Sequence, residues 1–422
     1  MCLAMIALAV AQDSLSLDEA LRLARTRNGT IKAAILDAKG ADSRVKQALG
    51  AFFPTITPFA EYNNTRNVSD TSLGKAVFRD DGWTTGVDAS WKILDAGQRD
   101  LSLRGSRRSA DASRLDSLQT LRRTLFTVHQ QFYEALRAQE LLRVSQSQVD
   151  RTQKIYDQAE FGARPDIGTV AKKDVLQARA DLLNAKTEFL RVKNLTATTL
   201  NSLKATIGWD PKAELPMLTK AETPNEVMPE TSLEEVANQG LRDRADLQSQ
   251  RKLVEAQRFT VLRADRDAGF SFDLNLNFSR NFSPNENENR NLQLLVTYPL
   301  FDGERLREQA RETRLSWESS KATLNQSERE ARAQIESAYI EHRQNAERVS
   351  AAKLALEAAQ ENYRAAKAAQ DEGANDVIAV LTAQVSLVTA ESNLIEATYD
   401  YYVSDVNLRL VTGKVIPGEA DR

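Results

Sequence analysis

Between Phe270 and Tyr298 the chain switches to a period of two. Phe270, Phe272, Leu274, Leu276 and Phe278 alternate with Ser271, Asp273, Asn275, Asn277 and Ser279. Successive side chains of a strand point to opposite faces, so this segment carries one apolar face and one polar face. A polar turn through Ser283 and Pro284 follows. The alternation then resumes at Leu292, Leu294, Val296 and Tyr298, broken only by Leu295. In a soluble sheet the apolar face would cover a core. Here the flanking segments are long, polar and helical and supply no second apolar layer. About ten alternating residues also match a tilted strand crossing a bilayer. The expectation is that the apolar face meets lipid and the polar face meets water.

The same signal occurs earlier in the chain. Trp83, Thr85, Val87, Ala89, Trp91 and Ile93 share one face, opposite Thr84, Gly86, Asp88, Ser90 and Lys92. The eight-residue step from Trp83 to Trp91 spans roughly 26 Å of strand, close to the height of a lipid-facing band with aromatic borders. Ahead of it, Ile56, Pro58, Ala60 and Tyr62 alternate with Thr55, Thr57 and Glu61. Phe59 is out of pattern, and the prolines suit an edge strand. Strands are expected at about 53–63, 83–94, 270–280 and 290–299, with Trp83, Val87, Trp91, Phe270, Phe272, Leu274, Leu276 and Phe278 facing lipid.

Composition bounds the remaining possibilities. Charged residues make up 27% of the chain, and no unbroken run of eighteen apolar residues occurs, which argues against a spanning helix. A net charge of −3 with interspersed signs gives no electrostatic case for nucleic acid. One cysteine and two histidines leave no disulfide framework and almost nothing for a structural zinc site. At residues 1–11, Leu3–Val10 is apolar and Ala9-Val10-Ala11 has the small-x-small form of a signal-peptidase site, so this segment reads as a signal-peptide remnant. Cys2 has no apolar stretch ahead of it in this sequence, and a start further upstream would open it to lipid modification.

The rest is helical on a large scale. Gln98–Glu160 holds one glycine and no proline, with a seam at Leu121, Leu125, Val128, Phe132, Ala135 and Leu142. Glu304–Glu372 holds neither glycine nor proline, enough for about 100 Å of helix. Return helices are expected over 169–207 and 374–412, after tip turns at Gly168 and Gly373. Each return segment lies between two glycines, Gly168 and Gly208 or Gly373 and Gly413. Val175-Leu176-Gln177-Ala178 matches Val380-Leu381-Thr382-Ala383 at one constant offset.

Further correspondences mark a duplication. Ser16-Leu17-Asp18-Glu19 is echoed by Ser232-Leu233-Glu234-Glu235, each a capping-box signature. Asp95 and Asp302 stand as N-caps at the two strand-to-helix corners. The chain therefore divides into a first repeat (12–208), a proline-rich linker (209–230), a second repeat (231–413) and a tail (414–422). Each repeat reads helix–helix–strand–strand–long helix–return helix. Four strands cannot close on themselves, and open edges are not tolerated in lipid. Three copies would supply twelve strands.

With these motifs in place, the chain resembles the TolC-like outer membrane efflux protein family from Leu15 to Gly413. The carriers are Tyr298-Pro299-Leu300-Phe301-Asp302-Gly303, the segments beginning at Gly168 and Gly373, and Arg244-Ala245-Asp246-Leu247, where the family has proline in place of alanine. The resemblance implies a mainly α homotrimer in the cell outer membrane. Its twelve-stranded β-barrel would continue into a periplasmic α-helical barrel. Such a protein is a passive exit duct of a tripartite efflux pump or type I secretion system, not an enzyme, and uses no cofactor. Its implied partners are outer-membrane lipid, a periplasmic adaptor at the tips, and an inner-membrane pump of RND, ABC or MFS type.

Family acids past the tip glycine form a cation-favouring ring. Asp174 matches that position in the first copy, whereas Ala379 and Thr382 depart from it in the second. Asp371, Glu372 and Asp376 are candidates for a displaced ring, and Arg164 and Asn375 for bonds between neighbouring arms. His129 and His342 occupy non-equivalent helix positions and read as seam residues, and Tyr399, Tyr401 and Tyr402 as packing residues. Gly162 and Gly168 do not have phosphate-loop spacing. The competing reading is a periplasmic coiled-coil adaptor whose strands form a small packed domain. It would require apolar partners for the strand faces. The sequence names neither cargo nor pump class.

Overall fold

The computed structural model describes residues 14–71, 74–166, 170–220, 232–282, 286–372 and 377–419. Gly168, Gly373, Asn375 and Asp376 lie outside the described residues, as do the apolar run at 3–11 and the side chain of Asp371. The chain begins β1 (Ser14–Leu15), α1 (Leu17–Arg27), α2 (Gly29–Gly50), β2 (Thr55–Thr71) and β3 (Gly74–Asp95). It continues α3 (Gln98–Gly162), α4 (Lys172–Ile207) and β4 (Met217–Leu218). The second half runs α5 (Leu233–Asp243), α6 (Ala245–Ala264), β5 (Ser271–Asn281), β6 (Asn287–Thr297), α7 (Arg305–Asp371) and α8 (Val377–Val411).

Two compact units form, and neither is one of the sequence copies. Residues up to 34, 117–245 and from 328 onward make the first, and 35–116 with 246–327 make the second. Each unit draws on both halves of the duplication.

The second unit contains an antiparallel sheet in the order β2-β3-β5-β6. Its register aligns the apolar residues of all four strands. Across one row Ile56, Ala89, Leu276 and Leu292 are neighbours, and in the next Trp91, Leu274 and Leu294. Pro58, Val87 and Phe278 make a third row, and Tyr62 pairs with Trp83. Leu276, Phe278, Val87, Trp83 and Trp91 are exposed in the single chain, while Phe272 and Leu274 are half-buried. The opposite face is polar. There Asn277 Nδ2 donates to Asp88 Oδ1 at 2.6 Å, Thr84 Oγ1 donates to Asn281 Oδ1 at 2.7 Å, and Lys92 lies 3.8 Å from Asp273.

Three details differ from the alternation expected of this sheet. The strands expected at 53–63 and 83–94 extend into a paired hairpin in unbroken register from Tyr62↔Trp83 to Thr71↔Gly74. Backbone hydrogen bonds carry that extension, so its polar side chains give no periodic signal. The register slips between Lys92 and Leu94, placing Leu94 rather than Ile93 opposite Phe272, as a β-bulge does. The stray Phe59 pairs with Gly86, whose missing side chain leaves room for the ring. A Cβ at Gly86 would stand 2.7 Å from that ring and 2.4 Å from the Phe278 carbonyl oxygen.

At the strand-to-helix corner the buried Asp95 carboxylate accepts from the backbone N–H of Gly97 at 3.2 Å and of Arg99 at 3.0 Å. Arg99 Nε returns to Asp95 Oδ2 at 2.8 Å, and its other nitrogens donate to the carbonyls of Ala51 and Ile93. In the second copy Asp302 accepts from Leu306 N–H at 2.9 Å. Leucine at that position leaves this corner without the arginine clasp.

The first unit is organised around a core that includes Leu21, Leu125, Val128, Phe132, Leu203 and Ile207. Leu121 packs on it partly buried, and Leu142 is half-buried. Ser232 and Glu235 complete a capping box. In the first copy Ser16 accepts from Glu19 N–H, but the Glu19 carboxylate turns to Arg22 instead. Gly208 and Gly413 both adopt positive φ, 68° and 70°. A Cβ at Gly208 would stand 2.8 Å from Arg27 Cβ, and one at Gly413 would stand 2.5 Å from the carbonyl carbon of Asp243. Each copy thus closes on the end of its own first short helix, at a site where a side chain has neither room nor a favourable φ.

The segments read as linker and tail both make specific contacts. Within the expected linker, β4 pairs in parallel with β1, burying Leu15 and Leu218. The tail is anchored as well. Arg122 Nε and Nη2 meet the Glu419 carboxylate at 3.0 and 3.2 Å, and Nη1 donates to Gly413 O at 3.0 Å. Ile416 is fully buried, and His129 Nε2 lies 3.2 Å from the Pro417 carbonyl oxygen.

The histidines are interior residues of this unit. His342 stacks on Tyr401 at 5.1 Å, and Tyr133 stacks on Tyr402 at 5.0 Å. Tyr399 and Tyr401 are buried. Burial pushes the Tyr133 and Tyr399 phenols up to about 12.

One exclusion drawn from the sequence needs correction. Ile378–Val411 is long and apolar enough to cross a membrane by length and composition. Ser, Thr, Gln and Asn interrupt it, so it contains no unbroken apolar run. Its inner side, with Val380, Leu381, Ala383 and Leu387, is buried, and Gln384 Nε2 donates to Thr152 at 2.8 Å. One side of this helix is thus packed within its own unit, while Ile378 and Val385 are exposed.

Two predictions follow from this packing. Gly86→Val should destabilise the sheet by about 1–3 kcal/mol, the usual penalty of overpacking, seen as a lower thermal midpoint in detergent; an unchanged midpoint would show that Phe59 does not occupy that space. The second concerns acid. Burial holds His129 below its ordinary value of 6.5, opposed by the Pro417 carbonyl. A depressed histidine stabilises the fold fully above its unfolded pKa, and that contribution is lost as pH falls through the folded value. Hydrogen-exchange protection factors at Gly413–Glu419 should therefore fall below about pH 6.5, and His129→Gln should flatten that dependence.

Candidate functional site at the helical tips

The tips lie where the long helices end and the return helices begin. After α3 ends at Gly162, Val170 N–H donates back to the Gly162 carbonyl at 3.2 Å. No side chain caps α4 at Ala171. Its first turn holds Asp174, whose N–H bonds the Ala171 carbonyl at 2.9 Å. The Asp174 side chain is 8% exposed although Lys173, its nearest cation at 3.9 Å, is itself largely in solvent.

Asp174 lines an open groove of about 410 Å³ between the starts of α4 and α8. One wall is polar, with Lys173, Asp174, Gln177 and Asp181; Gln177 donates to Asp181 at 3.1 Å. The other is largely apolar, with Ile378, Leu381 and Val385 beside Thr382. The Thr382 hydroxyl donates within its own helix to Ile378 O at 2.9 Å, and Ala379 is half-buried. No acidic residue stands in the first turn of α8. The groove thus joins an acidic first-copy wall to an uncharged second-copy wall.

A small cluster lies beside it. Val380, Leu381 and Ala383 pack with Ile155 and Ala366, and Tyr363 lies against them. Arg151 meets Glu391 at 3.2 Å, joining α3 to α8. Among the other expected tip residues, Glu372 is exposed at the end of α7. Arg164 is exposed with its guanidinium 5.0 Å from the ring centre of Phe161 in the same chain.

Asp181, Ile378 and Val385 were not singled out from the sequence. Asp174 and Asp181 are seven residues apart, two helical turns on one face, and that spacing was the available signal. The apolar wall had none, because it completes itself only when α8 is set beside α4.

Geometry and fold together define a class: a duplicated, mainly helical chain bearing an amphipathic four-stranded sheet. The outer membrane efflux protein family model matches residues 20–209 and 236–414. The chain belongs to that family, whose members are outer-membrane conduits and not enzymes. Sequence comparison with curated proteins finds no match.

Solved structures share the fold. CusC superposes with a TM-score of 0.82 at 17% identity, covering 94% of this chain and 92% of CusC. The CmeC outer membrane channel of Campylobacter jejuni gives 0.81 at 17% identity, covering 96% and 87%. The outer membrane protein VceC of Vibrio cholerae gives 0.79 at 17% identity, covering 94% and 96%.

Proposed function

We propose that this outer-membrane efflux protein works as a homotrimeric exit duct, three copies closing a twelve-stranded barrel that opens into a periplasmic helical barrel. The observation that carries this is the sheet. It has an apolar face running from Leu94 and Phe272 to Pro58, Val87 and Phe278, a polar reverse, and open edges at β2 and β6. In lipid those edges must be paired. All neighbours in the order β2-β3-β5-β6 are antiparallel, so β6 of one copy can meet β2 of the next antiparallel and continue the alternation.

The borders of the apolar band support lipid contact. Tyr62 and Trp83 lie 5.5 Å apart at one end, and Phe270 stacks on Tyr298 at 4.4 Å at the other. Aromatic residues favour both interfaces of a bilayer. In this reading Trp83, Val87, Trp91, Phe270, Phe272, Leu274, Leu276 and Phe278 touch lipid, and the polar face lines water.

The tips are then the periplasmic end of the duct. A periplasmic adaptor would dock there, and an inner-membrane pump of RND, ABC or MFS type would supply the energy. Asp174 would contribute one carboxylate per copy, three in the trimer, where the second-copy Ala379 and Thr382 add none. Rings of carboxylates favour cations.

Native mass spectrometry in detergent should give a trimer, and the purified protein should conduct in planar bilayers; a monomer without conductance would overturn the duct. Asp174→Asn should move the reversal potential in a potassium chloride gradient toward zero. An unchanged value would remove Asp174 from the selective ring while leaving the trimer intact.

A further inference from the structure

A further cavity lies within the unit that bears the sheet. It measures about 630 Å³ and is bounded by α2, α3, α6 and α7. Two cations face it, Arg44 and Arg263, and no carboxylate does among the described lining residues. The remaining lining combines seven serine and threonine hydroxyls and two glutamines with an apolar part that includes Leu253 and Phe259. The Gln250 carboxamide oxygen is buried with no partner among the described residues.

The lack of acid is not a lack of acid nearby. Asp42 is paired with Arg114 at 2.6 Å, and Asp111 with Arg114 at 3.1 Å. Glu255 is paired with Arg108 at 3.1 Å. The neighbouring carboxylates are engaged by other cations, and the guanidinium groups of Arg44 and Arg263 keep their donors. A guanidinium fork fits a planar or tetrahedral anion with two parallel hydrogen bonds. The volume suits a small organic ligand.

We propose that this cavity binds an amphiphilic organic anion, with its carboxylate, sulfonate or phosphate group held by Arg44 and Arg263 and its apolar body against Leu253 and Phe259. The chemistry is shared by a soluble organic anion and by the headgroup of an anionic lipid. The inference stands on this unit alone and does not require the trimeric duct.

The test is calorimetric titration of the full chain in phosphatidylcholine nanodiscs. Naphthalene-2-sulfonate should bind saturably, and naphthalen-1-ylmethylammonium, of similar shape and opposite charge, should not. Arg44→Gln and Arg263→Gln should each weaken sulfonate binding about tenfold, roughly the loss of one charge-assisted hydrogen bond. Arg44→Lys and Arg263→Lys should retain more affinity than the glutamine variants. Arg107→Gln, an exposed position on α3 outside the cavity, should change nothing. Equal thermal midpoints across the set would show that folding is intact.

Repeating the titration in phosphatidylglycerol discs separates the two sources. Competition with the sulfonate identifies a lipid headgroup as occupant, and undiminished binding identifies a soluble anion; both support the site. Equal binding of sulfonate and ammonium, or sulfonate affinity unmoved in both glutamine variants, would overturn it.

Discussion

The requirement that every backbone hydrogen bond be satisfied away from water governs the rest of this molecule. A sheet with one apolar face can sit in lipid only if its edges are paired, because an unpaired N–H or C=O there costs several kcal/mol. The four strands are paired internally, but β2 and β6 remain edges of the single chain's sheet. In the proposed duct, lateral association of copies completes the sheet. The long helices belong to the same logic. Their surfaces carry exposed leucines at Leu176, Leu183 and Leu190, but their charge excludes them from the bilayer.

Legibility in the sequence followed the range of the interaction. Alternation in 270–279 was readable because a half-buried strand writes its two faces every second residue. The strand-to-helix aspartates were readable because a cap acts within one turn. The extended hairpin beyond Tyr62 and Trp83 was not, since its polar side chains follow no pattern and its pairing resides in the backbone. The bulge beside Ile93 was hidden for a related reason: one unpaired residue moves the register without changing composition. The anchored tail lay furthest from view, because Arg122 and Glu419 are 297 residues apart.

At the tips, Asp174 could be found by its match to the family's acid position past the tip glycine, but its setting could not. The apolar wall of the groove comes from Ile378, Leu381 and Val385 of the opposite half. That wall is assembled by packing between α4 and α8 and leaves no local mark. Equally, the buried Gln384–Thr152 hydrogen bond joins residues 232 positions apart and leaves no local mark.

Duplication explains why the two halves are alike, and divergence explains where the chemistry concentrates. The first copy keeps the arginine clasp at its strand-to-helix corner and the acid near its tip. The second replaces Arg99 by Leu306, has Ala379 at the position matching Asp174, and sets Thr382 opposite the acidic wall. Most ion pairs along the helices are exposed neighbours three or four residues apart, which contribute little to stability. Arg122–Glu419 differs, with both side chains nearly buried. Removing one partner of such a pair strands the other charge without water, so the pair's main effect is to exclude alternative positions for the tail. A chain built from two similar halves has many near-equivalent surfaces on which a terminal segment might settle. The buried Arg122–Glu419 pair selects one of them.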